Sequence, residues 1–254
     1  MLSTIKKLQA DILYSGVVYG TSGNNIPDAA AAITVCHKHG IRRIRILDTD
    51  ELAIQSPKSM RIEATVGVKD EDLPVLASSY EAVKSWFEVN LKPSVPFEFV
   101  VNYIVVGNKV IPGPNDGLIC QDFATFSAHK AVYWDNGLGY WNMFDALVDA
   151  FVWAMEKREL IVKMVIGETG WPSTGNGQTT TPELARTYNQ NFLRHITAGQ
   201  GTPKRPNTYG EGFVYSMFDE NGKLEAGDQR FGIFDAKEKP VYHLYFLYPK
   251  SASN

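Results

Sequence analysis

The chain has only two cysteines, Cys36 and Cys120, too few for a disulfide framework. No stretch approaches the roughly 18 apolar residues that cross a bilayer, so no membrane-spanning role is expected. The amino terminus, Met-Leu-Ser-Thr-Ile-Lys-Lys-Leu-Gln-Ala, lacks the apolar core of a secretory leader. No Asn-x-Ser/Thr triplet occurs anywhere, so an acceptor for N-glycosylation is missing too. The net charge is −3 with no basic block, which argues against non-specific nucleic-acid binding. No glycine-rich phosphate loop stands where a barrel enzyme for a phosphorylated substrate would need one. Metal-type ligands gather only at Cys36-His37-Lys38-His39. His37 and His39 lie two apart and diverge on a helix, and no second pair follows, so that stretch reads as a surface helix end before Gly40. Neither a metal nor an organic cofactor is expected.

What is present is a composition suited to a core. Hydrophobic residues make up 44% of the 254 and aromatic residues 12%, which fits a globular protein. One α/β barrel has this size, and no linker or low-complexity stretch divides residues 1–254, so a single domain is expected. Apolar, β-branched runs predict six parallel strands, at 14–19, 43–47, 62–68, 98–107, 161–167 and 212–218. Helices are expected over 26–36, within 71–91, over 140–157 and over 182–198, with Pro27 and Pro182 near first turns. Trp86 and Phe87 read as core residues of the second group. After Asn108 no strand of comparable strength appears before Ile161, and Val132-Tyr-Trp is short enough to belong to a loop. A β/α unit takes roughly 30 residues. The expected fold is therefore a TIM-type (β/α) barrel that is incomplete, with about six of its eight strands.

Chemistry centres on Val165-Ile-Gly-Glu-Thr-Gly-Trp-Pro-Ser173. The apolar run before it stops at Gly167-Glu168, so Glu168 falls at a strand's carboxyl end, the rim where barrel enzymes do their work. Trp171 lies three residues on. A carboxylate beside an indole suits sugar chemistry, the first acting on an anomeric carbon and the second stacking on a pyranose face. A Glu there also suits the cap of a following helix, and the peptide alone leaves both roles open. In strand 43–47, alternation puts Arg43, Arg45 and Leu47 on one side. An arginine inside a barrel needs a carboxylate partner. Arg45 thus serves either a cleft or a tie between strands.

Glu168-Thr-Gly-Trp-Pro-Ser173 closely resembles the nucleophile motif of glycoside hydrolase family 17, the plant β-1,3-glucanases and their relatives. Other family-like segments follow the same order: Gly16-Val-Val-Tyr-Gly20, Asn24-Asn25, Arg43-Ile-Arg-Ile-Leu-Asp48, Val105-Val-Gly-Asn108, Phe144-Asp145-Ala146, Gly201-Thr-Pro-Lys-Arg-Pro206, Met217-Phe-Asp-Glu220 and Phe231-Gly-Ile-Phe234. The resemblance runs from about residue 14 to about 247. It implies a retaining hydrolase of β-1,3-glucan, acting without metal or cofactor, with Glu168 as nucleophile. It also implies a glucan cleft containing Tyr19, Arg45, Asn108, Trp171, Glu211, Phe218 and Glu220. Lys204 is a weaker candidate, since Lys-Arg in a Pro-flanked loop is ordinarily just solvated. Members of the family are usually secreted or vacuolar.

Two departures from the family stand out. Lys109 occupies the position where the family carries its general acid/base Glu, and two middle strand–helix units are missing. Three outcomes remain open from sequence: a working hydrolase, an impaired relative that still binds glucan, or a shortened product without cleft function. The expected partner is β-1,3-glucan. A monomer is expected, or a self-associating chain if the seam left by the missing units stays open.

Overall fold

The structure, a computed structural model, describes residues 15–47, 62–68, 72–76, 79–90, 101–106, 120–157, 164–175, 177–208 and 210–246. Six strands form one parallel sheet: β1 Ser15–Tyr19, β2 Arg43–Ile46, β3 Glu63–Val68, β4 Val101–Val106, β7 Ile166–Thr169 and β8 Gly212–Val214, in the order β4-β3-β2-β1-β8-β7. Strands β1 to β4 neighbour one another in turn, while β8 and β7 continue from the other side of β1. This is the ring order of a (β/α) barrel opened between β4 and β7, where an eight-stranded barrel holds two more strands. All six expected strands are found, and among the described residues the barrel is incomplete.

Val132-Tyr-Trp is not loop. It enters a small antiparallel hairpin, β5 Tyr133–Asp135 with β6 Leu138–Tyr140, turned by Asn136 and Gly137, both at positive φ. The stretch before it, unassigned from sequence, contains one short helical turn, α4 Gln121–Ala124. Two helices, α2 Leu73–Leu76 and α3 Tyr80–Asn90, fill the expected 71–91 region. Trp86 packs against the core and its indole donates to Asp72 Oδ2 at 3.0 Å.

Helices α1 Ala29–Lys38, α5 Met143–Glu156 and α6 Pro182–Thr197 begin where their caps dictate. Asp28 accepts from the Ala31 N–H, Asn142 from Asp145, and Thr181 from Leu184, so each helix start has a free N–H satisfied. In α6 the buried residues Ala185, Tyr188, Asn189, Phe192, Leu193 and Ile196 recur at three- and four-residue spacing. That stripe joins Ala32, Ile33, Val35 and Cys36 of α1 against Val17, Ile44, Ile46, Ala64, Val66 and Val214 on the outer sheet face. Burial pushes the Cys36 thiol up to about 12, so it behaves as an inert small hydrophobe.

The inner face is different. Val18, Phe213 and Tyr215 cluster there with Leu47, Val165 and Phe231, and Arg43 lies over the Phe213 ring at 5.0 Å. The two-residue alternation of each strand thus separates a helix-covered apolar face from an inner face carrying two arginines.

Candidate active site

The alternation breaks in β7, and the break creates the site. Ile166 pairs with Gly212 and Thr169 pairs with Val214, so three steps along β7 match two along β8. Ile166 packs into the outer core, and Thr169 Oγ1 lies 2.6 Å from the Tyr188 hydroxyl of α6. Both therefore face outward. Uninterrupted alternation from Ile166 would turn Glu168 outward as well; the extra residue turns it to the inner face. Bulges of this kind re-aim side chains next to active sites.

Glu168 is met there by Arg45, Nη1 to Oε2 at 3.1 Å, with the Arg45 side chain 2% exposed and that of Glu168 17%. The sequence argument that a buried arginine demands a carboxylate holds, and the partner is the motif glutamate itself. Burial pulls the Arg45 guanidinium below its ordinary value, and the Glu168 charge pushes it back up. Arg45 Nε is buried with no hydrogen-bond partner among the described residues, so only part of the guanidinium fork is engaged.

Glu220 is the second carboxylate, 1% exposed, in the turn after β8. Its Oε1 accepts the Ser22 N–H at 2.9 Å, and its Oε2 accepts the Tyr215 hydroxyl. Lys223 Nζ stands 3.9 Å from Oε1. A Cβ on Gly20 would fall within 2.6 Å of Glu220 Oε2, so glycine is what lets β1 end against this carboxylate. Burial first, then the charges of Glu220 and Glu168, push the Tyr215 hydroxyl far above its ordinary value. Tyr215 therefore remains a hydrogen-bond donor to Glu220 at any working pH.

Around them, Trp171 stacks on Tyr188 with centroids 5.5 Å apart and donates its indole N–H to the Thr179 carbonyl at 2.8 Å. Tyr19 is buried and donates to the Pro27 carbonyl at 2.8 Å. Phe218 is 1% exposed, edge-on to Tyr19 and tilted against Phe234, so it supports the wall from beneath and offers no open ring face. Glu211 sits elsewhere. It precedes β8 at the amino-terminal end, where its carboxylate pairs with Arg43 at 3.2 Å in a fully buried contact, with Glu63 3.7 Å from the same arginine. Arg43 and Arg45 are two residues apart, about 6.6 Å along the strand. The inner face is thus stacked in two ionic layers, Glu211 in the lower and Glu168 in the upper.

Lys204 also lies away from the carboxyl rim, in the loop after α6. It bonds Glu156 at 2.8 Å and covers the Trp153 ring, while Thr202 and the Lys204 N–H bind Asp149. That network anchors the loop to α5. Asn108 and Lys109 lie outside the described residues.

Sequence reasoning missed Tyr215 and Lys223. Tyr215 was recoverable: it lies two residues beyond Phe213, on the face that alternation turns inward. Lys223 had no comparable signal, since it follows the strand in an irregular turn.

A parallel β/α sheet that gathers an inward-turned glutamate, an arginine and a second buried glutamate at its carboxyl rim has the form of a barrel glycoside hydrolase. The chain belongs to the family described as "Glycosyl hydrolases family 17", whose pattern matches residues 15–121 and 114–246. Two relatives from Arabidopsis thaliana, the probable glucan endo-1,3-beta-glucosidases BG4 and BG5, are 36% and 35% identical to it, over 91% and 89% of this chain and 90% and 87% of theirs. The solved structure of CJP38, a beta-1,3-glucanase and allergen of Cryptomeria japonica pollen, superposes with a TM-score of 0.80 at 28% identity, covering 92% of this chain and 99% of that one. The BG4 alignment runs over 312 residues yet takes in only 91% of 254, so the relative carries segments that this chain lacks. The two family matches meet at 114–121, which places the shortening between the Asn108 motif and α4.

Proposed function

We propose that this protein acts on β-1,3-glucan as a retaining hydrolase of O-glycosyl bonds, with Glu168 as the nucleophile. The observation that carries the proposal is the β7 bulge, which turns Glu168 inward to Arg45 at the rim of a family 17 barrel. Glu168 attacks the anomeric carbon and forms a glycosyl-enzyme ester, which water then releases. Arg45 holds the carboxylate oxygen that is not attacking. Tyr215 and Lys223 hold the Glu220 carboxylate in place beside the cleft, and Trp171 supplies stacking surface.

Proton donation to the leaving oxygen is the weak step. By resemblance that task falls at Lys109, and an unperturbed lysine titrates near 10.4, far from the ideal for a general acid near neutrality. Its charge would also stand beside an oxocarbenium-like transition state. Turnover is therefore expected to run roughly 10²- to 10⁴-fold below a chain with an acid in place. The test is release of reducing sugar from laminarin by the unmodified protein and by Glu168→Gln. Slow release that vanishes in Glu168→Gln supports the proposal. Release that survives the substitution overturns the nucleophile assignment.

A further inference from the structure

The hairpin formed by β5 and β6 carries a surface that neither the core nor the candidate active site uses. Cross-strand pairing sets Tyr133 opposite Tyr140 and Trp134 opposite Gly139. The first pair occupies one face: the rings lie 6.0 Å apart, Tyr140 is buried and hydrogen-bonded to Asp149, and Tyr133 covers it from the solvent side, 52% exposed. The second pair leaves the other face open. Trp134 is 65% exposed, yet its ring rests on the hairpin backbone: a Cβ at Gly139 would stand 3.0 Å from Cη2 and 3.1 Å from Cζ2. Glycine is thus the floor on which the indole lies, one ring face on the backbone and the other toward solvent. Trp141 follows β6 on the same side by alternation and is 52% exposed, with Val132 beside it.

Two observations place this surface on the rim that holds Glu168. Helices of a β/α barrel run antiparallel to its strands, so the start of α5, immediately after the hairpin, lies at the carboxyl ends of the strands. A continuous set of ring contacts joins the two regions as well. Trp171 stacks on Tyr188 at 5.5 Å, Tyr188 meets Phe126 at 5.6 Å, and Phe126 meets Phe144 of α5 at 5.6 Å.

We infer that Trp134 and Trp141 form an outlying subsite that stacks against pyranose rings of a β-1,3-glucan chain extending beyond the cleft. The inference rests on the reading of the protein as active on β-1,3-glucan. A pyranose presents a flat C–H face, and a supported, open indole is its complement. A second copy of this chain is the competing occupant. Two indoles, at about 250 Å² each when wholly covered, fall short of the ~800 Å² per partner that a stable interface buries. Asp135 and Asn136 at the turn add polar groups at the edge of the platform, within reach of ring hydroxyls.

Depletion of the protein from solution by particulate β-1,3-glucan tests the inference, with sedimentation velocity run alongside. Trp134→Ala and Trp141→Ala are each expected to weaken depletion about tenfold, while Trp134→Tyr retains most of it. Gly139→Val, which lifts the indole from its floor, should behave like Trp134→Ala. Calorimetric binding of the short oligomer laminaritriose should stay unchanged in all four, as should melting temperature in the exposed tryptophan variants. No depletion of the unmodified protein, or depletion indifferent to Trp134 and Trp141, overturns the inference. So does a dimer that becomes a monomer on substitution while glucan depletion holds. Failure of the catalytic reading looks different: laminarin turnover indifferent to Glu168, with depletion still dependent on Trp134.

Discussion

Arg45 and Glu168 meet across the inner face of the sheet, Nη1 to Oε2 at 3.1 Å, although two strands, β1 and β8, lie between theirs. The contact ties the edge strand β7 back to the interior strand β2 and does so through the residue proposed as nucleophile. On that proposal one ion pair serves both cohesion and chemistry. Arg45→Met is expected to destabilise the fold by about 3 kcal/mol, because it strands a largely buried carboxylate. It should also lower kcat on laminarin more than it raises KM. Urea unfolding and steady-state kinetics on the one variant check both halves.

Tyr215→Phe keeps the ring that packs on Phe231 at 5.3 Å and removes only the hydroxyl bonded to Glu220. Glu220 then retains the Ser22 N–H and loses its other close donor. A loss of about 1 to 3 kcal/mol in stability is expected, with weaker laminarin binding. An unaltered KM would show that Glu220 does not face the substrate.

Restoring a carboxylate at residue 109 tests the proton-donor argument directly. Lys109→Glu is expected to raise laminarin turnover by roughly 10²-fold or more. No gain would move the defect from that residue to the two missing strand–helix units.

Acid should loosen the packing of residues 233–246 on α1. His39 caps the end of α1, its ring is 4.7 Å from Phe234, and its Nε2 is buried with no partner among the described residues. Burial, then Lys38 and His243, hold its imidazole below the usual histidine value. A folded value below the unfolded one means stability present above about pH 6.5 and lost as pH falls through the folded value. Melting temperature should fall between neutral and mildly acidic pH. In His39→Phe that part of the decline should flatten.

Leu147 and Phe151, four residues apart on α5, are 47% and 45% exposed and form one apolar stripe. Replacing both with Lys should change stability by no more than about 0.5 kcal/mol each. If the stripe drives self-association, the double variant will sediment as a monomer at concentrations where the unmodified chain does not.

The sheet strands were legible because each is a short apolar run closed by turn residues, and five of the six strands of the parallel sheet fall within the predicted ranges. β7 was not placed as well. It extends to Thr169, past the predicted end at 167, because the bulge keeps Thr169 paired with Val214 where an apolar pattern has already stopped. The same cause hid the geometry of the site. Hydrophobic periodicity reports which residues are apolar, and a bulge is a change of phase between polar residues. Glu168 and Arg45 could be nominated from chemistry, but their pairing is a tertiary fact. Glu211 shows the converse: a carboxylate next to a cleft strand is a reasonable nominee until the strand's direction puts it in the lower ionic layer with Arg43. The hairpin was missed because its strands are three residues each, below the length at which alternation is visible.

The extra residue in β7 makes the reactive group a matter of parity. Count an odd number of steps from Thr169 and the side chain looks into the barrel; count from Ile166 and the same position looks out. Holding Glu168 in step with Ile166, with the bulge ironed out, would leave every functional group in the sequence, glutamate included, and still turn the carboxylate toward α6 and away from Arg45. Backbone phase at this single point, independent of residue identity, selects between the proposed nucleophile and a buried charge without a counterion.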